Sequence, residues 1–107
     1  MPYTHPEQLT LSVFLAQDDD LLTQINAFIV AKRAERLRET SLFFYSNCMA
    51  VFSSYCQTQA IKQVTQITAN DLREYLLWLD QTGHNSGGIH AYYRALRAFL
   101  RWWECET

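Results

Sequence analysis

Apolar residues recur at helical spacing along most of the chain, and no run of four or more residues alternates well enough to predict a strand. Leu22, Ile25, Phe28 and Ile29 fall on one side of a first helix, read from Leu21 to Leu37, with Lys32, Arg33 and Arg36 at its C-terminal end. The Asp18–Asp20 run before it reads as a helix start, where carboxylates cap free N–H groups and match the helix dipole. A second helix reads from Leu42 to Gln57, with Thr40 and Ser41 as competing N-caps and Tyr45, Cys48, Met49, Phe52, Tyr55 and Cys56 as its apolar stripe. Thr68-Ala-Asn-Asp71 is a capping box opening a third helix, whose Leu72, Tyr75, Leu76 and Leu79 share a face and which Gly83 stops. A turn, with Asn85 or Ser86 as cap, leads into a fourth helix reaching Glu104. The pattern predicts an all-α fold, a compact bundle of four main helices joined by short connections.

The fourth helix is divided most sharply. Ile89, Tyr92, Leu96, Phe99, Leu100 and Trp103 gather on one side at about 100° per residue. His90, Arg94, Arg97 and Arg101 recur at steps of four, three and four and stack on the other. Arg is shaped for bidentate contact with phosphate or a guanine edge, although such a row is also what a solvated amphipathic face presents. On the second helix the polar side, Ser46, Asn47, Ala50, Ser53, Ser54 and Gln57, has no charge and little bulk. Small neutral groups permit close approach, either by another helix or by a DNA backbone.

Charge distribution sharpens the comparison. The net charge of −2 counts against a nucleic-acid partner, yet all nine Lys and Arg fall between Lys32 and Arg101. Only five acids share that span, which therefore carries +4, while the other six lie in the flanks. The 107 residues, 49% of them hydrophobic, suffice for one domain with its own core, expected over residues 21–104. Residues 1–20 are expected to be a poorly ordered or docking segment, in which Thr10–Ala16 (TLSVFLA) could lie against the core. The odd set Cys48, Cys56 and Cys105 contains no C-x-x-C pair and fits a reduced, cytoplasmic protein. No run of eighteen apolar residues occurs, and the N-terminus has no basic region followed by an apolar stretch, so transmembrane and secretory readings are set aside and no membrane partner is expected.

Catalytic chemistry finds little support. His5, His84 and His90 are scattered, no Cys/His cluster has metal-ligand spacing, and His84 reads as a solvated loop histidine. Gly87-Gly88 lacks the rest of a phosphate-binding loop, and the Asp18–Asp20 carboxylates have no apolar pocket around them. No active site, metal, cofactor or small-molecule substrate is expected.

Three motifs, in order, resemble the SAM-like N-terminal (core-binding) domain of tyrosine recombinases and phage integrases. They are Ser41-x-x-x-Tyr45 with Phe52 downstream, then Gln66-Ile-Thr-Ala-Asn-Asp-Leu-Arg73-Glu-Tyr-Leu, then Ser86 followed by Ile89 and Tyr93-Arg-Ala-Leu96-Arg97-Ala-Phe99-Leu-Arg-Trp102. The resemblance covers Leu21–Trp103. Ser41 stands where the family usually has Thr, which keeps the hydroxyl, and Gly88 stands where a Thr usually opens the fourth helix, which removes one. The resemblance implies a domain that clamps one face of duplex DNA, its second and fourth helices approaching the major groove, opposite a separate catalytic domain. It therefore assigns DNA contact to Arg94, Arg97, Arg101 and His90, to Ser41, Ser46, Asn47 and Gln57, and to Lys32 and Arg36. Strand cleavage, by a tyrosine nucleophile in that other domain, is not expected of this chain, which reads as a fragment or truncated protein ending where an inter-domain linker would begin. Other protomers of the recombinase on DNA are the second expected partner. The alternative is a helical protein–protein module without DNA binding, using exposed aromatics and the small-residue side of the second helix.

Overall fold

The computed structural model describes residues 19–106, and the expectations for Thr10–Ala16 lie outside them. Helix α1 spans Leu21–Ala34, α2 Glu39–Thr58, α3 Ala69–Gln81 and α4 Ser86–Glu106, with a single 3-10 turn at Val64–Gln66. Among the described residues the only extended pairing is one antiparallel bridge between Asp20 and Gln63.

Local chemistry explains most of the helix ends. Asp20 caps α1, accepting from the Thr23 backbone N–H at 3.1 Å and from its hydroxyl at 2.9 Å. In the expected capping box, Asp71 N–H donates to Thr68 Oγ1 at 3.1 Å and Thr68 N–H to Asp71 Oδ2 at 2.8 Å. Thr68→Ala is expected to lower stability by about 1 kcal/mol, read as a shift in urea midpoint at unchanged slope. Gly83 closes α3 at φ +93°, and His84 N–H then reaches Leu79 O at 3.2 Å, the bond that follows a left-handed C-terminal residue. Of the two candidate caps for α4, Asn85 performs the role: its Oδ1 accepts from Gly88 N–H at 2.8 Å.

Three expectations need correction. Helix α1 ends at Ala34, not Leu37, because Arg36 turns left-handed at φ +59° and stops propagation. That tight turn leaves only Leu37 and Arg38 before α2, which starts at Glu39 with Arg38 extended at the cap position. Thr40 and Ser41 consequently lie inside the first turn and cap nothing. Third, Leu22 is 51% exposed whereas Leu21 is buried. Leu21, Ile25 and Phe28 form the i, i+4, i+7 row that faces inward, and Leu22 sits about 100° to the side. The fully buried Gln24 shares the inward side.

The core collects residues from all four helices of the described residues, among them Phe28, Phe52, Tyr75, Leu79, Leu96 and Phe99. Helix α4 packs against each of the other three, and α1 also packs on α2. Phe28 sits at the junction of α1, α2 and α4, its ring edge-on to Tyr45 at 5.7 Å and to Phe99 at 5.5 Å, with Trp102 tilted at 5.7 Å.

Candidate nucleic-acid interface

Helix α4 has its inner face fixed by the buried Ala95, Leu96 and Phe99. With that face inward, the helical repeat turns His90, Arg94, Arg97 and Arg101 outward, and all four are exposed. No acid among the described residues pairs with any of the three arginines. Arg97 lies over the Tyr93 ring at 5.9 Å, which restrains its side chain without neutralising it. None of the arginines occupies the last turn of α4, so the helix dipole gives no account of them.

The cations of α1 differ. Lys32 and Arg33 lie in its last turn, where they suit the dipole. The Lys32 ammonium pairs with Glu35 at 3.2 Å and lies over the rings of Phe28 at 5.5 Å and Tyr45 at 5.3 Å. Its structural employment is therefore complete. Arg36 is exposed in the turn after α1.

The neutral residues of α2 divide between surfaces. Ser41 meets Arg94 in an open hollow of about 420 Å³, lined also by Thr40, Phe44, Tyr45 and Ala95. Thr40, Phe44 and Tyr45 belong to this hollow although the polar pattern did not single them out, because two are aromatic and one was read as a cap. Ser46 and Gln57 instead line a groove on the α1 side, with Ile29, Val30 and Arg33. The helical repeat requires this division, for Ser46 is roughly 140° around α2 from Ser41 whereas Gln57 is only about 20° from Ser46. Asn47 is exposed on the outer side. The structure thus joins Ser41 to the arginine face and directs Ser46 and Gln57 elsewhere.

The model of the phage integrase N-terminal SAM-like domain family matches residues 25–106. This chain belongs to that family. Neither a search of curated proteins nor a search of solved structures returned a match. In this integrase domain Arg94, Arg97 and Arg101 stand on the last helix within the matched region, and Ser41 on the second. No helix among its described residues is long and apolar enough to cross a membrane, and no three His, Cys, Asp or Glu among them are grouped to hold a metal.

The thiols of Cys48 and Cys56, and His84, act in packing. Burial raises the Cys48 thiol to about 11, and burial with the Asp71 carboxylate nearby raises Cys56 to about 12. Cys105 is exposed. A thiol-reactive dye at pH 8 is therefore expected to modify one cysteine quickly in the folded integrase domain and all three in denaturant; rapid reaction of all three without denaturant would contradict the buried placement. His84 is half-buried rather than a solvated loop residue, its Nδ1 lying 3.1 Å from Leu79 O and its ring edge-on to Tyr92. The C-terminal turn of α3 holds it there.

Proposed function

We propose that this domain binds duplex DNA through the outer face of α4, clamping one side of the helix while a separate catalytic domain performs site-specific recombination. Arg94, Arg97 and Arg101 contact phosphates, with His90 beside them. Ser41 and Thr40 border the same surface through the hollow they share with Arg94. Family membership supports the recombinase setting. The observation that carries the DNA reading is the row of three exposed guanidiniums in mid-helix, opposite the core, without acidic partners among the described residues and without a dipole to satisfy. Other protomers bound to the same DNA are the second class of partner, and a reduced, cytoplasmic setting fits both the DNA and the free thiols. Arg36 contributes general positive potential, to which Lys32, paired with Glu35, adds little, while Ser46, Asn47 and Gln57 reach DNA only where the duplex extends over the flank of α2.

Binding of the isolated domain is expected in the non-specific range, about 10⁻⁴–10⁻⁶ M at physiological salt. Three neutralised phosphates give a slope of about −2.7 in log K against log salt, or a loss of about 40-fold between 50 and 200 mM. Titration of a fluorescent duplex at those two concentrations measures it. Binding that does not respond to salt would remove the arginine face from the interface and favour a protein–protein module.

A further inference from the structure

The three arginines of α4 are not held alike. Arg94 borders the hollow that it shares with Ser41. Among the described residues, Arg97 alone of the three lies over an aromatic ring, that of Tyr93, with 5.9 Å between guanidinium carbon and ring centroid. Side chains on a helix lean toward its N-terminus, so a long side chain at Arg97 falls back over the residue one turn earlier. The two tyrosines at this point of α4 have different surroundings. Tyr92 packs against the core and lies edge-on to His84 at 5.1 Å. Tyr93, about 100° further round, stands half-buried between the core side and the arginine row, and its ring partner among the described residues is Arg97.

We propose that Tyr93 is a positioning residue of the DNA face, its ring holding the Arg97 guanidinium in place before a duplex arrives; this rests on the DNA reading of α4. Arg97 is the middle member of the row, with Arg94 one turn before it and Arg101 one turn after. Like charges at those spacings repel, so an unrestrained guanidinium there would spread over many rotamers. An arginine that must be ordered on binding forfeits that side-chain entropy, and one already seated forfeits less. The ring and a phosphate do not compete for Arg97. Stacking uses the flat face of the guanidinium, while its N–H groups point outward in the plane and remain free for a bidentate contact. Tyr93 carries no charge, so it acts on affinity through Arg97 and leaves the number of neutralised phosphates unchanged.

Two measurements on the full chain test the proposal. By NMR without DNA, the side-chain protons of Arg97 should resonate upfield of those of Arg94 and Arg101, shifted by the ring current of Tyr93. Tyr93→Leu, which keeps an apolar helix former at the position, should abolish that difference, and Tyr93→Phe should retain it. In duplex titrations, Tyr93→Leu is expected to weaken binding about 2- to 5-fold at unchanged salt slope, and Tyr93→Phe to bind as the parent does. Added to Arg97→Ala, Tyr93→Leu should cost nothing further, because the partner on which it acts is gone. An equal loss in both backgrounds would overturn the proposal, since Tyr93 would then touch DNA itself. Full affinity in Tyr93→Leu, or Arg97 protons indistinguishable from those of Arg94 and Arg101, would overturn it too. Those failures leave the DNA reading standing, whereas a parent chain without salt-dependent binding would remove that reading and this proposal together.

Discussion

Replacing Arg94, Arg97 and Arg101 together with alanine is expected to weaken duplex binding at least about 100-fold at low salt and to flatten its salt dependence. Each guanidinium is exposed and unpaired among the described residues, so its removal strands no buried acid. Alanine is the best helix former, so α4 should retain its helicity. Loss of affinity with unchanged far-ultraviolet circular dichroism and unchanged thermal midpoint is the expected result. Undiminished binding would refute the assignment of α4 to the DNA. Single substitutions should each remove about one third of the salt slope, because distant, solvated phosphate contacts add nearly independently.

Phe28→Ala is expected to cost about 3–5 kcal/mol, the largest single effect on stability anticipated here. The ring is fully buried and touches Tyr45, Phe99 and Trp102, residues of two other helices. Its deletion opens a cavity at the junction of α1, α2 and α4 and also removes one of the rings beneath the Lys32 ammonium. Small domains have only about 5–15 kcal/mol of total stability, so the variant should approach unfolding at 37 °C. Calorimetry should register a fall in midpoint of at least about 12 °C. A fall of only a few degrees would mean that neighbouring rings collapse into the space.

Features set by local chemistry were legible in the sequence. The Thr68–Asp71 box, Asp20 as a cap, Gly83 as a stop and the outward arginine row each depend on residues within a few positions of one another, where spacing alone fixes geometry. What failed depended on neighbours distant in sequence. Leu21 and Leu22 are chemically identical, and only the packing of α1 on α2 and α4 selects which one turns inward. Nothing in the sequence indicated that Arg36 would adopt a left-handed conformation, and the early start of α2 follows from that turn. The 3-10 turn at Val64–Gln66 escaped a hydrophobic pattern because polar bonds build it: the Gln66 side chain accepts from Lys62 and Gln63 N–H at 2.9 and 3.0 Å. The candidate site was half legible for the same reason. Periodicity grouped the arginines on α4, but the neutral side of α2 covers so much of its circumference that only the positions of α1 and α4 decide where each residue faces. Lys32, too, could not be recognised from sequence as a cation seated on two rings.

The bridge between Asp20 and Gln63 has a mechanical meaning. Force applied to the chain ahead of Asp19 does not peel α1 away alone, because Leu21 and Val64 hand part of it to the loop connecting α2 with α3. Strain arriving at one end of the polypeptide is thus distributed to its middle before any helix has moved.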